Sequence, residues 1–181
     1  MPRPEKMIFC PQCGKTLILA QHGGRERKAC PDRSCGYVHW NNPIPVLAAI
    51  VEREGQVFLV RSIGWPEGWY GLVTGFMEAG ETPEEGVVRE VKEELGLDAK
   101  LESFIGLYPF RRMNQLIMAY HLTLEEGEIK LDTTELEAYK AVPIEKVVPW
   151  ASGTGYALQD WLRSRGIERE AFPLPGRKPS S

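Results

Sequence analysis

The sequence lacks the features that define several large classes of protein. Across its 181 residues no apolar run approaches the length needed to span a bilayer, and the N-terminus has no hydrophobic region of the signal-peptide kind. The net charge of −3 leaves no basic excess to neutralise a nucleic-acid backbone. No internal repeat is visible. We therefore expect a cytoplasmic protein without a membrane partner or a general affinity for nucleic acid.

The chain has room for one main domain with a full core and a small appendage. We expect the small domain and a short leader at residues 1–42, the main domain at 43–171, and a flexible tail at 172–181. Pro43 and Pro45 favour an extended connector between the two domains, because proline disfavours helix at the residue before it. Prolines, a lysine and serines in the last residues are typical of a loose tail.

Cysteine is scarce, and its four copies fall into two pairs in tight turns, each followed by a glycine. Two such knuckles around a hairpin-like segment are typical of a zinc ribbon. Two disulfides are the alternative, and a reducing compartment disfavours them. A closed site of four thiolates leaves no position for substrate, so we expect the Zn²⁺ to be structural and to stabilise a segment too short to fold alone. The predicted ligands are Cys10, Cys13, Cys30 and Cys35.

Strand and helix patterns alternate in the main domain and indicate an α/β fold. A continuous apolar run at residues 46–52 is typical of a central buried strand, and a Glu54-Gly55 turn connects it to a second strand. Apolar spacing near the C-terminus predicts an amphipathic helix. The predicted strands are 46–52, 56–61, 101–108 and 115–124, and the predicted C-terminal helix is 155–165.

A second helix has clear start and stop signals. Thr82 suits the N-cap, Pro83 suits the first helical position, and Glu85 three residues after Thr82 completes a capping box. Gly96 can adopt the left-handed conformation that ends a helix. The predicted buried stripe of this helix consists of Val87, Val88, Val91 and Leu95.

Three carboxylates lie together on the adjoining face of this helix, at Glu90, Glu93 and Glu94, with Gly86 expected to leave the face unshielded. Like charges at this spacing repel one another. A divalent cation removes that penalty, and Mg²⁺ prefers oxygen ligands. The alternative is a solvated acidic surface, which is the usual explanation of a charge run.

The stretch from residue 75 to residue 97 resembles the signature box of the Nudix hydrolases. That pattern is a glycine, five residues, a glutamate, seven residues, then Arg-Glu-apolar-any-Glu-Glu-any-Gly-apolar. Every specified slot is filled, by Gly75, Glu81, Arg89, Glu90, Val91, Glu93, Glu94, Gly96 and Leu97. So many fixed positions make the pattern specific. The resemblance implies a Nudix α/β/α sandwich with a mixed sheet, here preceded by the zinc ribbon.

The box also predicts a catalytic centre that uses Mg²⁺ or Mn²⁺. Metal ions held by carboxylates polarise phosphoryl oxygens and lower the pKa of bound water. Glu90 and Glu94 are expected as direct ligands, and Glu93 as a further ligand or an acid–base group. Arg89 is expected to orient Glu93. By resemblance, the carbonyl of Gly75 adds a metal ligand and Glu81 braces the loop.

The NADH pyrophosphatase branch of this family also carries a zinc ribbon before its box, so the arrangement here is similar to that branch. The branch has a Ser-Gln-Pro-Trp-Pro-Phe-Pro type motif shortly after the box, and this chain has only Pro109-Phe110 of it. The resemblance implies hydrolysis of a nucleoside diphosphate linked to another moiety, such as NADH, NAD⁺, FAD or ADP-ribose. The alternatives are removal of a nucleotide cap from RNA and a catalytically silent nucleotide sensor or protein-binding module. A homodimer is expected by resemblance alone.

Residues outside the box are expected to contact the substrate. Trp65 and Trp69 precede the box and either stack on a flat ring or seal the core. Phe76 lies within the box. Arg111 and Arg112 either hold a phosphate or carboxylate, or are solvated. An additional base or ligand is expected at Glu135 or Glu137, by resemblance to the loop where Nudix enzymes often supply a glutamate.

Overall fold

A computed structural model describes residues 7–173 of the protein. The leader residues 1–6 and most of the predicted tail, residues 174–181, lie outside the described residues. The described chain forms two compact units that divide between Pro43 and Ile44.

The N-terminal unit contains an antiparallel hairpin of β1 (Ile18–His22) and β2 (Arg25–Ala29). The two residues that connect the strands, Gly23 and Gly24, have φ angles of 59° and 74°. Glycine adopts such angles at little cost, and the right-handed twist of a hairpin requires them at a two-residue turn. The hairpin places the two cysteine knuckles, one before β1 and one after β2, at the same end of the unit.

The C-terminal unit contains one mixed sheet and two helices. Its elements in chain order are β3 (Ile44–Arg53), β4 (Gln56–Ser62), β5 (Val73–Phe76), α1 (Pro83–Leu95), β6 (Ala99–Phe110), β7 (Gln115–Leu124), β8 (Leu136–Pro143) and α2 (Thr154–Ser164). A short 3-10 turn, Arg111–Met113, connects β6 to β7.

The central strand of the sheet is β3. The strand order is β6-β7-β3-β4-β8, and β5 also pairs with β3. The β3–β7 pair is parallel and the others are antiparallel, so the sheet is mixed, as predicted. One edge of β3 is divided between two partners: residues 46–49 pair with β5, and residues 51–53 pair with β4.

The two faces of the sheet are covered by different helices. Side chains of a strand alternate between the faces, and β3 follows this rule. Leu47, Ala49 and Val51 belong to the hydrophobic cluster that contains the valines of α1. Ile50 belongs to the cluster that contains Leu158 and other apolar residues of α2. This arrangement confirms the predicted α/β/α sandwich.

The close packing of α1 on β3 explains Gly86. A Cβ atom at this position would lie 2.5 Å from Cδ1 of Leu47 and 2.5 Å from Oε1 of Glu81. Gly86 is buried and allows the helix to approach the sheet, rather than leaving the acidic face open to solvent as predicted.

The predicted strand at 101–108 is longer in the structure. β6 continues to Phe110, and its register against β7 shifts between Phe104 and Gly106, which is typical of a bulge at a glycine. The connection between β6 and β7 therefore consists only of the 3-10 turn and Asn114. None of the helices in residues 7–173 is long and apolar enough to cross a membrane.

Candidate active site and cysteine cluster

The four cysteines of the N-terminal unit lie together. Their Sγ atoms are all within 4.8 Å of one another. The Cys10–Cys35 and Cys13–Cys30 sulfur pairs are 3.6 and 3.5 Å apart, which is too far for a disulfide. A tetrahedral site with Zn–S bonds of about 2.3 Å has sulfur–sulfur edges of about 3.8 Å. The cluster therefore has the donor set and the dimensions of a site for one metal ion.

Helix α1 has the predicted caps. The hydroxyl of Thr82 accepts a hydrogen bond from the backbone N–H of Glu85 (3.2 Å), and the Glu85 carboxylate accepts one from the backbone N–H of Thr82 (2.8 Å). Gly96 has a φ of 71° and its N–H donates to the carbonyl of Lys92. These contacts fix the ends of the helix and hence the position of its carboxylates.

Arg89 connects the helix to the loop before it. Its Nε and Nη2 atoms donate to the two carboxylate oxygens of Glu81, at 3.0 and 2.8 Å, in a bidentate pair. Its Nη1 donates to Glu90 (2.8 Å) and Glu93 (2.9 Å), and its Nη2 also donates to the carbonyl of Phe76. The predicted Arg89–Glu93 contact is present, but Glu81 is the main partner. Hydrogen bonds from Arg89 lower the pKa of Glu81 to about 2.

Glu94 is the most deeply buried carboxylate of the box, with 6% of the residue exposed. It accepts a hydrogen bond from the backbone of Thr74, while its Oε2 atom has no hydrogen-bond partner among the described residues. Burial, and then the charge of Glu90, raise the pKa of Glu94 to about 8. A buried charged oxygen without a partner is costly, and a cation at this position would compensate it.

Glu90 lies against the backbone of Gly75. A Cβ atom at Gly75 would be 1.8 Å from the carboxyl carbon of Glu90, so only glycine fits. Burial raises the pKa of Glu90, and its hydrogen bond from Arg89 lowers that pKa in part. The main chain at Gly75 and the carboxylates of Glu90 and Glu94 thus lie on the same side of α1.

Glu93 has a different environment from Glu94. Its side chain is 56% exposed and is bound to Arg89. Among the described residues, only the cysteines bring three or more ligand atoms of His, Cys, Asp or Glu within 4.8 Å. The three predicted carboxylates therefore divide into an inner pair, the buried Glu94 and the partly buried Glu90, and an outer residue, Glu93.

The structure distinguishes the two candidates for an additional base. The charge of Glu135 contributes to raising the pKa of both Glu90 and Glu94, so Glu135 lies near enough to act on both carboxyl groups. Glu137 instead forms an ion pair with Arg61 (3.0 Å) and accepts a hydrogen bond from the backbone of Gly64. The additional base or ligand at Glu135 or Glu137 stays a prediction, and only Glu135 acts on the carboxyl groups of α1 in this way.

A cavity of about 660 Å³ lies on the face of the sheet that α2 covers, since Leu59, Leu72 and Trp150 line it. The loop after β4, the 3-10 turn, β8 and the segment before α2 surround it. Thr74, whose backbone is bonded to Glu94, is part of its wall. Of the predicted substrate contacts, Trp65, Trp69 and Arg112 line the cavity, whereas Phe76 and Arg111 are not among its lining residues.

Lys140 lines the same cavity and is not among the residues that the sequence indicated. Its ammonium lies 4.2 Å from the centre of the Tyr70 ring, a cation–π geometry. No signal in the sequence distinguishes this lysine, because its place depends on the pairing of β8 with β4, where Lys140 lies opposite Leu59.

Comparison with known protein families identifies one family for the main domain. Residues 42–161 match the model of the NUDIX domain. The chain is also 31% identical over 147 residues to the NAD-capped RNA hydrolase NudC of Vibrio parahaemolyticus, covering 81% of this chain and 55% of that protein. It is 33% identical over 141 residues to the protein of the same description from Pseudomonas aeruginosa, covering 78% and 49%. The chain spans about half the length of these relatives.

Solved structures have the same fold. A NUDIX hydrolase from Nitrosomonas europaea superimposes with a TM-score of 0.74 at 25% identity, covering 93% of this chain and 99% of that one. An ADP-ribose pyrophosphatase from Streptococcus suis superimposes with a TM-score of 0.57 at 22% identity, covering 74% and 100%. The second likeness supports the fold alone.

Proposed function

Because this chain belongs to the NUDIX family, we propose that it is a metal-dependent hydrolase of phosphoanhydrides in nucleotides. Its substrate is a nucleoside diphosphate linked to another moiety, of the NADH, NAD⁺, FAD or ADP-ribose type. The observation that carries the proposal is the buried Glu94 oxygen, which has no hydrogen-bond partner among the described residues. Thr74, whose backbone is bonded to Glu94, also lines a cavity large enough for part of a nucleotide. The description of the relatives as NAD-capped RNA hydrolases favours an NAD-type substrate.

The donor set fits a hard divalent cation, Mg²⁺ or Mn²⁺. Glu90, Glu94 and the carbonyl of Gly75 would hold it, because oxygen ligands suit these ions. When bound, the ion neutralises phosphate charge and lowers the pKa of water. Glu93 lies outside the inner pair of Glu90 and Glu94, and it is proposed as a further ligand or acid–base group.

The protein side chains have distinct proposed roles in the reaction. Arg89 holds Glu90 in place through a direct hydrogen bond and anchors the loop through Glu81. Glu135 is proposed to accept the proton of the attacking water, since its charge acts on both Glu90 and Glu94. Trp65 and Trp69 offer aromatic faces to a flat ring in the cavity.

The four-cysteine cluster is proposed to hold Zn²⁺ with a structural role. Its size and its thiolate donors suit this ion, and four protein ligands leave no position for substrate. A cytoplasmic location and a homodimer remain predictions. A second candidate activity, removal of an NAD cap from RNA, is favoured by the description of the relatives.

A panel of NADH, FAD, ADP-ribose and NAD-capped RNA, each with Mg²⁺ or Mn²⁺, tests the proposed activity. We expect hydrolysis of at least one, with release of a nucleoside monophosphate. Absence of turnover for every substrate, with metal present, would contradict the proposal and leave the sensor alternative.

The general base is tested by a matched pair of variants. Glu135→Gln is expected to lower kcat by about 10²-fold or more and to remove one limb of the pH–rate profile. Glu137→Gln is the control, because this residue is paired with Arg61. Equal effects of the two substitutions would show that Glu135 is not the base.

A further inference from the structure

The cavity that Thr74 shares with the candidate metal site has an uneven charge. Its lining contains two cations, Arg112 and Lys140, and no aspartate or glutamate. Much of the rest is aromatic or aliphatic, including Trp65, Trp69 and Trp150. A cavity with this lining favours a ligand that has both a flat apolar part and a negative charge.

Neither cation is neutralised within the described chain. No carboxylate of residues 7–173 lies within ion-pair distance of Lys140 or Arg112. The Lys140 side chain is exposed, and its ammonium packs on the face of Tyr70. Each cation can therefore form a charge-assisted hydrogen bond with an anion in the cavity without first breaking an ion pair.

The two cations belong to the cavity and the candidate metal ligands do not. Lys140 and Arg112 line the cavity, whereas Glu90 and Glu94 are not among its lining residues. In the proposed function, the metal at Glu90 and Glu94 neutralises the phosphates of the anhydride that is cleaved. The cations in the cavity are then available to a different anionic group of the same substrate.

We propose that the cavity binds a phosphate that lies outside the anhydride, so that the preferred substrate is a nucleotide with an additional phosphate on its ribose. The inference rests on the proposed function and specifies the substrate class of that site. Two sources share this chemistry: the 2′-phosphate of a small dinucleotide such as NADPH, and the 3′-phosphodiester of an RNA with an NAD cap. In both, Lys140 donates to the phosphate while the neighbouring ring packs on the aromatic wall.

The first experiment compares the hydrolysis of NADPH and NADH by the full chain with Mg²⁺. We expect kcat/KM to favour NADPH by about tenfold or more, the value of one hydrogen bond between charged groups, and the difference to lie in KM. Lys140→Met is expected to bring this ratio towards one, and Lys140→Arg to restore it. Lys146→Met is the control, because this exposed lysine lies in the turn after β8 and outside the cavity.

A binding experiment without metal separates this inference from the hydrolase proposal. Calorimetric titration with adenosine 2′,5′-bisphosphate, adenosine 3′,5′-bisphosphate and AMP should show about tenfold tighter binding of one bisphosphate than of AMP. The difference should shrink as salt is increased, since an exposed cavity is screened. Preference for the 2′ compound identifies the small dinucleotide, and preference for the 3′ compound identifies the RNA.

The outcomes separate the two proposals. If NADH is hydrolysed but the extra phosphate changes neither KM nor binding, the inference is wrong and the proposed hydrolase stands. If no substrate is hydrolysed but a bisphosphate binds more tightly than AMP through Lys140, the proposed reaction is wrong and the phosphate site stands.

Discussion

In the metal-free protein, the free energy of unfolding should depend on pH through the buried Glu94. Burial raises the pKa of Glu94 from an ordinary value of 4.5 to about 8. Between these two values the unfolded chain has lost a proton that the folded protein keeps. Stability is therefore fully present below pH 4.5 and is lost as the pH rises towards 8. Glu94→Gln removes this titration.

The magnitude follows from the size of the shift. Each pKa unit corresponds to about 1.36 kcal/mol. Between pH 5 and pH 7.5, wild type should lose up to about 3 kcal/mol of unfolding free energy relative to Glu94→Gln. Chemical denaturation at a series of pH values measures this difference directly. Glu93→Gln is the matched control, because the side chain of Glu93 is more than half exposed.

Metal ions should reverse the effect. Millimolar Mg²⁺ is expected to stabilise wild type at pH 7.5, since it supplies the missing counter-charge, and to have little effect on Glu94→Gln. The same variant should have no detectable hydrolase activity. Parallel pH profiles for wild type and Glu94→Gln would refute the reasoning, and equal stabilisation of both by Mg²⁺ would place the metal elsewhere.

Three further substitutions test the packing and the metal clusters. Gly75→Ala should lower kcat/KM about 100-fold with the fold retained, because a Cβ at this position displaces Glu90; unchanged kinetics would contradict this. Gly86→Ala should destabilise the protein by about 1 to 2 kcal/mol in urea denaturation, because the clash with Leu47 outweighs the helix propensity of alanine. Cys13→Ser should abolish zinc binding by elemental analysis and unfold the N-terminal hairpin in NMR spectra, while hydrolysis persists; loss of hydrolysis with an intact hairpin would contradict a structural role.

The parts of the site that depend on local signals could be predicted from the sequence. The caps of α1 at Thr82 and Gly96 and the spacing of its glutamates concern residues that are close in the chain, and the structure has these caps. The close approach of the four cysteines followed from two short turns and a hairpin. In both cases local geometry, that of one helix or of two turns joined by a hairpin, determines which side chains meet.

The parts that depend on distant pairing could not be predicted. Glu94 is buried and bonded to the backbone of Thr74 in β5, whereas Glu93 is exposed and bonded to Arg89, and this difference depends on how α1 packs. The close contact between Gly86 and Leu47 likewise depends on how α1 crosses β3. Lys140 reaches the cavity because β8 pairs with β4. None of these relations leaves a periodic or spacing signal in the chain.

The alternation of β3 has a consequence for how sequences of this kind can change. A deletion or insertion of one residue in its middle would exchange the side chains that face α1 with those that face α2. The length of this strand is thus constrained by two cores at once. Trp65 and Arg112 lie in connections between strands, and neither side chain belongs to these two buried clusters. Ligand preference can therefore diverge through these two connections while the framework that holds the carboxylates is retained.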